Sequence, residues 1–286
     1  AEIFCCLAVS SDFGILRVSG TSKIVIMTDA MTEIITSCPI RITLSSYLYY
    51  GLIDKKDSYF YNSGKNLCLL EENMRKILFV LAIIFGFYYV FLFDTIPSDL
   101  KMVFKLIPMV LIILFALLTR NVDRRYYTLV CIGLVFCAIG DYTLQWFIIG
   151  LTSFLIGHIF YIAAFSGGTK PVPIAAKILL LVYGVIMALW MCITLVGNGE
   201  TILAIAVFAY ISVILTMGWM SFRTGSPFAI IGALLFIASD TILAINKFIT
   251  DVPLSHELIM FTYYGAQIFI ACSIAKYSEI RSKVIH

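Results

Sequence analysis

From residue 77 onward the chain is a succession of apolar runs separated by short polar breaks. The runs cover residues 77–93, 102–118, 127–147, 150–165, 174–196, 201–220, 227–245 and 257–275. A helix needs about 20 apolar residues to cross hydrocarbon, with about 17 as the lower limit. The pattern therefore predicts eight membrane-spanning helices, the fourth short and the fifth long. Breaks at 94–99, 120–125, 166–173, 197–200, 223–226 and 246–255 each carry Gly, Pro, Asn or charge, the usual punctuation between elements.

Basic residues orient the spans, because basic loops stay on the cytoplasmic side. With an inside N-terminus, the inside segments hold Arg75, Lys76, Arg120, Arg124, Arg125, Lys170, Lys177, Arg223, Lys276, Arg281 and Lys283. The outside segments hold Lys101, Lys105 and Lys247. Eleven against three predicts both termini in the cytoplasm, and losing or adding one span scrambles that bias. A bacterial cytoplasmic membrane is the expected location.

Composition agrees with a membrane protein. Of 286 residues, 61% are hydrophobic and 13% charged, where a soluble domain carries roughly 45–50% and about 25%. That excludes a soluble globule and a disordered chain. A scattered net charge of +3 is no nucleic-acid footprint, which needs a basic stripe on a polar domain. Eight cysteines form no C-x-x-C pair, and those at 131, 137, 192 and 272 lie in apolar runs as small core residues.

Residues 1–73 differ from the rest. They carry 6 basic and 8 acidic residues, and their apolar stretches (3–9, 23–27 and 40–53) are too short or too polar to span. They also lack the build of a signal peptide. Two readings compete: a small cytoplasmic extension, or translated upstream sequence with Met74 as the start. Met74-Arg75-Lys76 ahead of an apolar run favours the second. The membrane domain is then 74–286, with halves at about 77–165 and 174–275.

Those halves resemble each other around two acids. Gly133 and Gly232 each stand eight residues before an Asp, Asp141 and Asp240; a small residue, Gly140 or Ser239, precedes each acid, and Leu144 or Leu243 follows at plus three. His158 and His256 come 17 and 16 residues after the acids. The acids are 99 residues apart, about four spans, and an even number of spans keeps orientation. This predicts two parallel four-helix repeats.

An ionised carboxylate in hydrocarbon costs at least ~2.5–3.5 kcal/mol, so Asp141 and Asp240 need a polar cavity, a partner or a proton. Other polar residues fall at the same expected depth. Lys105 precedes Pro108 in the second span; His158 and Tyr161 share a face at i, i+3; His256, Tyr263 and Gln267 share another; Asn246 and Lys247 close the seventh span. Together they predict a polar chamber opening outward. Taken singly, each has a plainer reading. An intramembrane Asp is often the structural partner of a Lys, the histidines can be packing hydrogen bonders, Tyr263 can be an interfacial aromatic, and Lys247 can snorkel.

The same residues carry a resemblance. Phe136-x3-Gly140-Asp141-x2-Leu144, Phe154-x3-His158-x2-Tyr161, Gly232-Ala233-x2-Phe236-x2-Ser239-Asp240-x2-Leu243-Ala244-x-Asn246-Lys247-Phe248 and Tyr263-Tyr264-x-Ala266-Gln267, in this order, resemble the YhhN family, whose animal members are the TMEM86 lysoplasmalogenases. The likeness runs from about residue 101 to 275. It implies a cofactor-free hydrolase, with no metal, that cleaves the vinyl ether bond of lysoplasmalogens to a fatty aldehyde and a glycerophospho-alcohol. It also implies that the two acting acids fall on Asp141 and Asp240. The partner is a lysophospholipid from the bilayer.

A vinyl ether hydrolyses by protonation at carbon, followed by water capture of the oxocarbenium ion. Two carboxyl groups can divide the work of proton donor and base; which acid takes which role stays open. Lys105, His158, Tyr161, Asn246, Lys247, His256, Tyr263 and Gln267 are the expected supporting residues. The competing class is a proton-coupled transporter, since parallel repeats and intramembrane acids also build carriers. Against it, the polar residues gather near one face. A structural membrane protein without chemistry is a third reading, and a zinc site from the two Asp and two His lacks compact ligand spacing.

Overall fold

The structure, a computed structural model, describes residues 58–119 and 123–285, with side chains described for 69–119 and 123–281. The apolar stretches at 3–9, 23–27 and 40–53, and Arg120, lie outside the described residues. Eight α-helices follow in order: α1 (Ser58–Phe91), α2 (Lys101–Leu117), α3 (Arg124–Thr143), α4 (Phe147–Phe165), α5 (Ile174–Gly197), α6 (Thr201–Arg223), α7 (Pro227–Phe248) and α8 (Ser255–Ile285). A short 3₁₀ turn, Phe93–Thr95, lies between α1 and α2. Seven of the helices are long and apolar enough to cross a membrane; α2, at 17 residues, stands at the lower limit. The chain is an all-α, multi-pass integral membrane protein.

The outward faces explain why these runs are helices. On α5, Leu179, Leu181, Val182, Val185, Ile186, Leu189 and Ile193 are all exposed. Water would not tolerate such a face. Lipid does, provided that every backbone polar group is bonded within the segment, and a helix does that. Packing inside relies on close approach at small residues. A Cβ on Gly133 would stand 2.4 Å from the Tyr161 ring, and one on Gly232 would stand 2.8 Å from Ile270 Cγ1 and 3.0 Å from the Ala266 carbonyl oxygen.

Those glycines lie within the two most extensive antiparallel pairs, α3 with α4 and α7 with α8; α5 with α6 comes next. Further contacts join α4 to α6, α6 to α7, and α8 to α2 and α3. The core sits among α3, α4, α7 and α8, where Leu134, Cys137, Tyr161, Phe165, Phe236 and Ile270 are fully buried.

Helix ends differ from the predicted runs in instructive ways. The third helix was expected over 127–147 but runs Arg124–Thr143, because Asp123 caps it by accepting from the Tyr126 amide at 3.0 Å. The chain then turns through Leu144-Gln145-Trp146, and α4 begins at Phe147 rather than 150. Apolar Trp146 and Phe147 hide that turn from a hydropathy pattern. Helices α1 and α8 extend beyond their apolar portions into polar sequence, where helix propensity rather than hydropathy decides.

The basic loops gather at one end of the bundle. Arg281 pairs with Asp123 at 3.7 Å, Tyr126 bonds Ser273 at 2.7 Å and stacks on Tyr277, and the Lys170 amide donates to the Arg223 carbonyl at 3.0 Å. Lys101, Lys247 and His256 are at the other.

Candidate functional site: two separately held aspartates

Asp141 lies near the end of α3, almost fully buried at 2% exposure. Two other helices satisfy it. Lys105 of α2 places its Nζ 3.4 Å from Oδ1 and also donates to the Asp141 carbonyl at 3.2 Å; the Tyr263 hydroxyl of α8 donates to Oδ2 at 2.6 Å. Lys105 is fixed in turn. Pro108 has no N–H for the Phe104 carbonyl one turn back. The next carbonyl, that of Lys105, accepts from the Tyr264 hydroxyl at 2.7 Å. An ion pair out of water is costly unless further hydrogen bonds support it, and here the Asp141 carbonyl and the Tyr263 hydroxyl supply two.

Asp240 sits in mid-helix on α7, half-buried, and its Oδ2 accepts from the Tyr210 hydroxyl of α6 at 2.5 Å. Among the described residues it has no ion pair. It lines a cavity of about 60 Å³ whose other walls include Phe147, Phe154, Tyr183, Met187, Tyr210 and Phe248. That is room for a few water molecules. Next to the acid, Thr241 and Tyr183 join their hydroxyls, and Thr241 donates to the Ile237 carbonyl at 2.6 Å.

Three rings stand between the two acids' surroundings. Phe154, Phe236 and Tyr263 meet edge to face with centroids 5.5–6.3 Å apart. Phe154 faces the Asp240 cavity, while Tyr263 holds Asp141. Asp141 itself does not line that cavity. The small residues before the acids set this spacing: a Cβ on Gly140 would stand 2.9 Å from the Phe154 ring, and Ser239 donates to the Ile259 carbonyl of α8 at 3.0 Å.

The remaining expected residues divide. His158 is fully buried, packed on Phe236 at 4.5 Å and on Tyr210 at 5.4 Å, and neither ring nitrogen has a hydrogen-bond partner among the described residues. Tyr161 donates to Gln267 Oε1 at 2.8 Å, and Gln267 Nε2 is likewise unpartnered. Both nitrogen sites sit in the polar centre of the core. His256 goes elsewhere: its ring lies against Phe93 at 3.9 Å and its Nε2 stands 3.3 Å from the Tyr89 carbonyl. Asn246 accepts from the Val252 amide at 2.9 Å and organises the α7–α8 loop. Lys247 is exposed, with its ammonium 5.6 Å from the Phe147 ring at the cavity wall.

Sequence reading missed Tyr210 and Tyr183. Each is one tyrosine inside a long apolar run, with no counterpart at matched spacing in the other half. The one available signal was a phenol expected to need a hydrogen-bond partner within hydrocarbon.

The model of the YhhN family matches residues 100–274, the stretch that contains both acids. The chain is similar to lysoplasmalogenase TMEM86A of Bos taurus, 32% identical over 201 residues, which is 64% of this chain and 81% of that protein. The Homo sapiens TMEM86A is 33% identical over 203 residues, 64% and 81% of the two chains. Lysoplasmalogenase TMEM86B of Sus scrofa is 32% identical over 193 residues, 66% and 81%. No solved structure matches the chain.

Proposed function

The chain belongs to the YhhN family, and on that premise we propose that it is a membrane-embedded hydrolase cleaving the vinyl ether bond of a lysoplasmalogen-type lipid. The relatives' names supply the reaction class. The observation that carries the roles is the unequal company of the two acids among the described residues: Asp141 is paired with Lys105, whereas Asp240 is bonded by a tyrosine and faces a largely apolar cavity.

In this reading Asp240 is the acid. Its proton goes to the vinyl carbon distal to the ether oxygen, leaving an oxocarbenium ion beside the new carboxylate. Water adds to the cationic carbon, the Asp141 carboxylate takes up the water's proton as base once the Phe154, Phe236 and Tyr263 rings between it and the cavity move aside, and a hemiacetal results. The hemiacetal then breaks its carbon–oxygen bond to give an aldehyde and a glycerophospho-alcohol. Proton transfers restore both acids, so the sum is one water consumed per bond cleaved. Tyr210 orients the Asp240 carboxyl. Lys105 and Tyr263 hold Asp141, and His158 and Gln267 border the polar centre behind the rings. The two parallel four-helix halves, each supplying one acid, belong to the same proposal.

The test is aldehyde release from lysoplasmenylethanolamine by the purified full chain, beside Asp141→Asn and Asp240→Asn. General acid or base catalysis contributes about 10²–10⁴-fold, and each variant should lose activity in that range while keeping its elution profile in detergent. A folded parent that releases no aldehyde would overturn the reading.

A further inference from the structure

The cavity at Asp240 holds a reacting bond and little more, so a lipid's hydrocarbon chain must lie elsewhere. Behind the cavity wall, on the outer side of α5 and α6, runs a groove of about 440 Å³. Ile211 and Leu215 line both spaces. We propose that this groove binds the long hydrocarbon chain of the substrate lipid, and that the Ile211–Leu215 pair is the side-chain gate through which the chain's reacting end meets Asp240. The inference rests on the hydrolase reading for its reaction, and on the groove's own build for its ligand.

Three features of the groove fit an alkyl chain. Its walls are apolar: Leu181, Val185 and Ala188 from α5 face Phe208 and Trp219 from α6. The two hydroxyls in the wall are already used, since Ser212 donates to the Phe208 carbonyl at 2.9 Å and Thr216 to the Ser212 carbonyl at 2.7 Å. With those hydroxyl protons spent, the indole N–H of Trp219 is the wall's remaining side-chain donor, and a methylene chain needs none. The groove is also flanked by exposed Leu181, Val185 and Phe208, so it opens sideways to the acyl region of the bilayer.

The gate depends on one glycine. A Cβ on Gly184 would stand 2.3 Å from Leu215 Cδ1, so Leu215 rests in a notch that any larger residue on α5 would close. The notch lets a leucine, with no polar atom and several rotamers, form the partition between groove and cavity. Rotating it costs no hydrogen bond.

The experiment compares the parent with Ser212→Phe, which fills the groove from an exposed position, and with Leu215→Ala, which removes the partition. Ile205→Phe, exposed on α6 outside the groove, is the control. Substrates are a vinyl ether lysophospholipid with a long chain and an analogue with a short one. Displacing about two methylenes from apolar contact corresponds to roughly tenfold in affinity. Ser212→Phe should therefore lose about tenfold in kcat/KM on the long-chain lipid, with the short-chain analogue unaffected and Ile205→Phe like the parent. Leu215→Ala should narrow the parent's difference between the two. Equal effects on both chain lengths, or none, would overturn the groove. A lysophospholipid with a photoreactive diazirine at its chain end gives a readout independent of turnover. Labelling of residues 181–188 and 208–219, abolished by Ser212→Phe, supports the groove even if no ether bond is cleaved. Labelling spread evenly over the outer faces of the helices overturns it.

Discussion

Tyr210 and Tyr263 do the same physical task for different acids, each donating a phenol O–H to a carboxyl oxygen. Hydrogen bonds to a charged group are worth about 1.5–3 kcal/mol. Tyr210→Phe and Tyr263→Phe should each lower kcat by roughly 10–100-fold with KM little changed, measured by steady-state aldehyde release. Unchanged kcat in either would reduce that tyrosine to packing. Lys105 is a stricter case. Removing one partner of a buried ion pair costs about 3–5 kcal/mol, because the other charge is left uncompensated. Lys105→Met should therefore lower the melting temperature in detergent, and Lys105→Met with Asp141→Asn should recover much of the loss. No recovery in the double variant would show that Lys105 stabilises through its own packing. Much of the Asp141 group was legible in sequence, since an intramembrane Asp needs a partner and Lys105 and Tyr263 stood at fitting depths. Tyr210 was not, because only the packing of α6 on α7 brings it to Asp240. His256 matched His158 in spacing, yet its place at the first turn of α8 delivers it to Tyr89 and Phe93 instead.

At the level of elements, the glycines eight residues before each acid mark close approaches in the α3–α4 and α7–α8 pairs. Overpacking a close-packed contact costs about 1–3 kcal/mol. Gly133→Ala and Gly232→Ala should each lower thermal stability by about that much, read from unfolding in detergent, with Gly133→Ala the more severe because a whole tyrosine ring must move. A melting curve like the parent's would mean that α4 can shift aside. Eight apolar runs sufficed to place eight helices, since a span's length is dictated by the bilayer. Their ends did not follow as well. Hydropathy registers where lipid begins, whereas caps such as Asp123 and turns such as Leu144-Gln145-Trp146 decide where a helix stops.

For the whole molecule, the clustering of basic loops at one end turns the charge bias into a topology that can be measured. Cysteine-reactive reagents that do not cross the membrane should reach a cysteine placed at Asn198 or Asp251 from outside intact cells, and one placed at Lys170 only after permeabilisation. The reverse pattern would invert the molecule and put Asp240's end of the bundle in the cytoplasm.

Asp141 already has its cation, and among the described residues Asp240 has none. A positively charged guest entering the cavity would thus meet the Asp240 carboxylate with no cation already on it. A long-chain tertiary amine copies the charge and the tail of the oxocarbenium ion, and groups that resemble a transition state bind more tightly than the substrate. Such an amphiphile should inhibit the parent competitively, and its direct binding should be lost in Asp240→Asn and kept in Asp141→Asn. The asymmetry of two aspartates thereby becomes a rule for drug-like recognition: the vulnerable acid is the one the protein leaves without a lysine.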